Sequence, residues 1–193
     1  MFDPSKILKI FLFYLYIILF LLMQSCEKDF SGLSNGIDTT SHDFQWEITT
    51  FDSPYGSGVL NDVAIINEND IWAVGEIYSD STQPSKRYNA VHWDGQKWKL
   101  KRIPFIGECS AVDYPPIRAI WAFSENHILF TNGGAIAVYD GINTQLDCGM
   151  NALLNGAISK IFAIDPSNIY AIGGLSTIVH SNGSTWQKLD SGT

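Results

Sequence analysis

A module that recurs three times after residue 60 constrains this chain more than any other feature of its sequence. The first copy reads Asp62-Val63-Ala64-Ile65-Ile66-Asn67-Glu68-Asn69-Asp70-Ile71-Trp72-Ala73-Val74-Gly75 and closes with His92-Trp93-Asp94-Gly95-Gln96-Lys97-Trp98. The third reads Ile161-Phe162-Ala163-Ile164-Asp165-Pro166-Ser167-Asn168-Ile169-Tyr170-Ala171-Ile172-Gly173 and closes with His180-Ser181-Asn182-Gly183-Ser184-Thr185-Trp186. A more worn second copy, Ile120 to Phe130, closes with Tyr139-Asp140-Gly141. Ile71, Ile128 and Ile169 are equivalent, 57 and then 41 residues apart. A period of about 40 residues built from short β-rich runs reads as the four-stranded blades of a β-propeller, an all-β fold.

The third copy gives the cleanest view of one blade. Ile158 to Ile164 starts alternating and becomes continuously apolar, which predicts an innermost strand entering a buried centre. Asp165-Pro166-Ser167-Asn168 is a turn, because Pro presets φ and Asp and Asn bond to nearby amides. Ile169 to Ile172, Thr177 to His180 and Thr185 to Leu189 supply three further strands. Asn182-Gly183 joins the last two, since both residues tolerate positive φ. Blades are therefore expected over about 60–104, 117–147 and 158–190. Of the 16 extra residues in the longer interval, 11 lie between the second and third strands of the first blade. The other 5 lie between its fourth strand and the next blade. His42-Asp43-Phe44-Gln45-Trp46-Glu47-Ile48 aligns with the run around Trp98, so 42–50 is expected as a lone outer strand. Three blades plus one strand fall short of the roughly four to eight that close a ring. The expectation is thus an incomplete ring, part of a longer protein, with a homodimer closing six blades as the alternative.

The first 25 residues do not belong to the blades. Lys6 and Lys9 precede an unbroken apolar run of 14 residues, Ile10 to Met23. That is shorter than the roughly 20 residues of a membrane span and suits a secretory signal. Leu22-Met23-Gln24-Ser25-Cys26 resembles the cleavage box of bacterial lipoproteins. The resemblance implies a signal over 1–25 and a lipid on Cys26, with the chain held at the outer membrane; the alternative is a single membrane anchor with Cys26 incidental. Glu27, Lys28 and Asp29 are similar to the acidic surface-export tag of some Gram-negative lipoproteins. A Ser-, Gly-, Asn- and Thr-rich tether is expected up to residue 41. Without Asp3, Lys6 and Lys9, the 12 basic and 20 acidic residues become 10 and 19, a net charge of −9. Such a chain repels nucleic acid. Cys109 and Cys148 remain, open between a disulfide joining neighbouring loops and two thiols. No Cys-x-x-Cys is present, which excludes a thiolate zinc site.

The Asn-Asp-Ile-Trp-Ala-Val-Gly and Trp-Asp-Gly-x-x-Trp patterns resemble a bacterial propeller-repeat family over roughly residues 42–193, and more distantly the Asp-box propellers. The motifs specify a fold rather than an activity. The likeness extends to sequences named glucosyl transferases, yet this chain has neither a nucleotide-binding βαβ unit nor an Asp-x-Asp motif.

In such a fold both insertions of the first blade open on one face. The first carries Tyr78, Asp80, Arg87 and Tyr88; the second carries Glu108, Asp113 and Tyr114. Their Tyr, Arg and carboxylate side chains suit a polar ligand, a glycan or a protein, while the bland alternative is a pair of solvated loops. Trp46, Trp98 and Trp186 repeat at one offset from their turns, as do Trp72 and Tyr170, and His92 and His180. Repetition at a fixed place argues for packing. Arg87, Arg102 and Arg118 could supply a sialidase-like triad, but Arg102 ends an outer strand and no nucleophile pair is evident. No catalytic residue, metal or cofactor is assigned. The expectation is a lipid-anchored binding or scaffold module; the alternative is a carbohydrate-active enzyme, hydrolase, lyase or glucosyl transferase, of which this is a part.

Overall fold

The computed structural model describes residues 45–51, 58–78 and 87–192. Cys26, Asp80, the apolar run and the tether fall outside them. The chain forms two compact units, Met1–Glu47 and Ile48–Thr193, and the blades belong to the second. The described strands are β1 (Val59–Asn67), β2 (Asp70–Tyr78), β3 (Arg87–Trp93), β4 (Trp98–Lys101), β5 (Ala119–Ser124), β6 (His127–Thr131), β7 (Ile136–Tyr139), β8 (Thr144–Asp147), β9 (Ile158–Asp165), β10 (Asn168–Gly173), β11 (Thr177–Ser181) and β12 (Trp186–Lys188). They make three antiparallel meanders of four strands each, β1–β4, β5–β8 and β9–β12. The first strands pack side by side, β5 between β1 and β9. These are three consecutive propeller blades, innermost strand first.

Register shows the repeat physically. Trp72 faces His92, Leu129 faces Val138, and Tyr170 faces His180, one equivalent pair per blade. Because successive side chains in a strand alternate sides, each blade presents one face to the blade before and one to the blade after. Trp72, Val74, Ala64 and Ile66 of the first blade pack with Ile120, Ile128 and Phe130 of the second. Leu129, Trp121 and Phe123 of the second pack with Ile161, Ala163, Ile169 and Ala171 of the third. Asp62 ties the inner strands together: one carboxylate oxygen accepts from the Ile120 amide at 3.1 Å, the other from Lys160 Nζ at 2.6 Å.

The turns between third and fourth strands repeat as well. Asp94 accepts from the amides of Gln96 and Lys97, Asp140 from Ile142 and Asn143, and Asn182 from Ser184 and Thr185. Gly95, Gly141 and Gly183 take φ of 84°, 94° and 85°. Each also lies against the turn between its blade's first two strands, where a Cβ would strike Asn69 or Asn126 and, in the third blade, crowd Pro166 and Ser167. Asn182 does not adopt the positive φ its sequence suggested; its side chain serves as acceptor and the glycine alone turns left-handed.

Two other expectations are corrected. Residues 45–51 carry no strand, so the outer strand expected over 42–50 is not formed in its described part. Each of the three sheets already has its own fourth strand, so no described blade lacks the strand that segment was expected to supply. The inner strand β9 is covered on one side only: Phe162 is 59% and Ile164 69% exposed. Its continuous apolar stretch is two faces of a blade with a neighbour on just one of them.

Candidate functional site

The connection from the first blade to the second, residues 102–118, is built around a buried amide. Asn89 on β3 is fully buried. Its Nδ2 donates to the carbonyls of Ile103 at 2.8 Å and Pro115 at 3.0 Å, and its Oδ1 accepts from the Ile103 amide at 2.7 Å. One side chain thus holds both ends of the connection. The Phe105 amide donates to the Asp113 carbonyl at 2.7 Å, closing the loop inside that clamp. Phe105 and Ile117 are fully buried and plug it into the core between the first two blades.

At the tip, Cys109 and Cys148 are joined by a disulfide with Cα atoms 5.7 Å apart. The bridge fastens this loop to the connection that follows the second blade. Arg102 lies over the Tyr114 ring at 3.8 Å, within cation–π range. Held in this way, the loop still presents aliphatic side chains to solvent, with Ile106 66% and Val112 48% exposed.

The other insertion begins and ends on the β2–β3 pair, where Tyr78 faces Arg87 and Ile77 faces Tyr88. The Tyr78 hydroxyl donates to Glu76 at 2.7 Å, and Arg87 reaches the same carboxylate at 3.3 Å. Hydrogen bonding to Glu76, then slight burial, raises the Tyr78 pKa, opposed by the Arg87 charge. Tyr88 packs in a small cluster with Phe51, Ala73, Ile77, Val91 and Trp98.

The candidate residues are therefore spread over two places. Tyr78 and Arg87 satisfy Glu76, Tyr88 contributes to packing, and Asp113 and Tyr114 belong to the clamped loop. None of them lines either of two clefts. One, of about 390 Å³, runs between the outer strands of the first two blades past Trp72, Arg102, Tyr139 and Ile142. The other, of about 540 Å³, is bordered by Asn155, Leu175, Lys188 and Asp190 on the third blade. Asn89, Ile106 and Val112 were not singled out in the sequence. An amide within an apolar strand and two aliphatic residues between Pro104 and Pro116 were the available signals.

The repeated aromatic and imidazole positions are packing positions in the three blades, but the packing expected of Trp46 is corrected: that side chain lies outside the blades' clusters. Trp72 stacks on His92 at 4.2 Å, and both bond to Asp70, the His92 Nε2 at 2.8 Å. In the third blade Tyr170 lies against His180 at 4.6 Å, and the His180 Nε2 alone bonds Asn168, at 3.0 Å. Trp186 donates to Asp147 across the second and third blades at 2.7 Å, whereas Trp98 meets the ring of Phe51 at 5.7 Å. Trp46 is exposed. The three arginines go separate ways: Arg87 to Glu76, Arg102 to Tyr114, and Arg118 alongside Gly133. Among the described residues no cluster of His, Cys, Asp and Glu could hold a metal ion.

No protein-family model matches this chain. No curated protein matches it. Among solved structures it is similar to YCF48 bound to D1 peptide, with 16% identity and a TM-score of 0.48 over 68% of this chain. It is also similar to YCF48 from Cyanidioschyzon merolae, with 15% identity and a TM-score of 0.41 over 68% of this chain. The match covers 40% of the first of those chains and 56% of the second.

Proposed function

We propose that this protein is a lipid-anchored binding module of the bacterial outer membrane whose 104–116 loop recognises a protein partner. The observation that carries the reading is the combination of rigidity and apolar display in that loop. Asn89 holds both its ends and the Cys109–Cys148 bridge holds its tip. Little ordering entropy remains to be lost on binding, which raises affinity for a given contact area. Ile106 and Val112 are the side chains presented. Exposed aliphatics on a fixed frame suit the dry centre of a protein interface. A glycan would call instead for open aromatic faces and unsatisfied polar groups. Here the Tyr114 ring is already covered by Arg102, and the Tyr78 hydroxyl is bonded to Glu76. The lipid would sit on Cys26, on the strength of the apolar run and the box before it.

A photo-reactive residue at position 106 tests the loop in the producing cell. Irradiation is expected to give a discrete protein adduct that is lost in Val112→Asp. An adduct that stains as polysaccharide, or none at 106 while position 142 yields one, overturns the reading. Incorporation of a labelled fatty acid, abolished by Cys26→Ala, is the expected result for the anchor.

A further inference from the structure

Both ends of the blade array expose positions that are buried or half-buried and packed wherever two blades meet. Phe162, Ile164 and Ile172 are 59%, 69% and 48% exposed on the outer face of the third blade. By strand register they are equivalent to Ala64, Ile66 and Val74 in the first blade, all of which pack against the second. Trp121 and Phe123 occupy the inner-strand places in the second blade and pack against the third. At the opposite end, Val63 and Ile65 are 55% and 70% exposed. Their equivalents are Ile120 and Ala122, then Ile161 and Ala163, each packed on the preceding blade. One end is therefore a following-blade face without its blade, and the other a preceding-blade face without its blade.

We propose that these two faces meet between two copies of this chain, the third blade of each packing on the first blade of the other. The interface would continue the one already repeated twice within the chain. Ile66 and Ala122 share one apolar cluster, and Phe123 and Ala163 share the next. Ile164 and Ile65 are the same two positions, so they are the pair that would touch across copies. A head-to-tail contact closes only if the array curves. It does: Lys160 on β9 reaches Asp62 on β1 at 2.6 Å, past the intervening blade, so the three inner strands converge on one axis. Two copies supply six blades, inside the range of about four to eight at which propellers close. Phe51, packed on Trp98, covers the outer part of the first blade's free face. The arriving blade would meet the inner part, at Val63 and Ile65.

Two differently tagged full-length copies, one with Ile65→Cys and the other with Ile164→Cys, test this when produced together and treated with a short thiol cross-linker. A covalent mixed dimer is expected, and none when both copies carry Ile65→Cys. The unmodified protein in detergent should have twice the mass of the chain. Phe162→Glu, which sets a charge in the contact, should lower the dimer fraction about tenfold or more. A single-chain mass for the unmodified protein overturns the proposal and points to a different occupant. Equal cross-linking of two Ile65→Cys copies overturns the head-to-tail arrangement, and a series of species larger than two overturns closure. Neither Ile65 nor Ile164 belongs to the 104–116 loop, so loss of the dimer and loss of the loop's adduct are separate results.

Discussion

The two connections between blades answer one structural demand with different chemistry. Residues 102–118 lead from the first blade to the second, and 148–157 from the second to the third. Each is held by a buried polar side chain at the same place in a third strand, Asn89 in the first blade and Thr177 in the third. The short connection needs a single acceptor: Thr177 Oγ1 takes the amides of Asn155 at 3.1 Å and Gly156 at 3.0 Å. The long one needs both ends gathered, and only an amide, with donors and an acceptor, can do so from one position. A connection clamped at its ends can lengthen between them without disturbing the blades. That is how the first blade carries a displayed loop on the frame the third blade uses for a plain crossing.

The disulfide links these two connections, so removing it should break the comparison most severely. Cys109 and Cys148 are separated by 39 residues. Closing a loop of that span restricts the unfolded chain by about 4 kcal/mol in the entropic account. Cys109→Ala with Cys148→Ala is expected to lose most of that in a urea titration, leaving the blade cores intact by circular dichroism. Next in size is Asn89→Ala. It strands the Ile103 amide and the carbonyls of Ile103 and Pro115 in a buried place, at a cost of about 3 kcal/mol. Thr177→Val keeps the side-chain shape and strands two amides, so about 2 kcal/mol is expected. If Thr177→Val proves the costlier, the view that the longer connection leans harder on its clamp is wrong.

Much of the frame could be read before any coordinates, and the reasons are local. The Ile71, Ile128 and Ile169 positions align, the glycines at 95, 141 and 183 mark the outer turns, and β-rich runs lie between. Each is set by backbone sterics within a few residues. What was not legible depends on partners distant in sequence. Asn89 is a polar residue in a strand until Ile103 and Pro115 arrive beside it. Nothing in Phe162 or Ile164 says whether a neighbouring blade covers it. Trp46 matches the Trp98 motif, yet each described blade already has a fourth strand of its own. The candidate binding residues were read as one surface, whereas Glu76 occupies Tyr78 and Arg87, and Tyr114 turns to Arg102.

The hairpin between β10 and β11 offers a smaller test. Gly173-Gly174 marks this turn in the sequence, but the positive φ falls on the next two residues, Leu175 at 52° and Ser176 at 54°. The left-handed region costs a non-glycine residue about 1–2 kcal/mol, part of which glycine returns through a more flexible unfolded chain. Leu175 is 76% exposed and gives up little packing. Leu175→Gly should therefore stabilise the protein by about 0.5 kcal/mol, read as a higher urea midpoint. A lower midpoint would mean that the Leu175 side chain packs where its exposure says it does not.

The smallest effect expected separates the outer turns of the three blades by pH. Asp94 and Asp140 hold their turns as carboxylates, while Asn182 does the same work uncharged. The Lys99 ammonium and then the Lys97 amide hold the Asp94 pKa well below the usual carboxylate range. For Asp140 the amides of Asn143 and Ile142 lower it. A folded-state pKa below the unfolded one stabilises above the unfolded value, and that contribution is lost as pH falls through the folded value. Acid should therefore loosen the first two turns and spare the third. Asp140 is exposed and Asp94 lies half-buried in a surface turn beside Lys99, so the change is local to the turns and leaves global stability unmoved. Amide hydrogen exchange read from about pH 6 to about pH 2.5 should show Asn143 losing protection first, Lys97 holding on because its carboxylate is kept ionised into stronger acid, and Thr185 unchanged, after correction for intrinsic rates. Asp140→Asn should make the second turn behave like the third; if the Asn143 amide still deprotects in acid, the carboxylate is not what holds it.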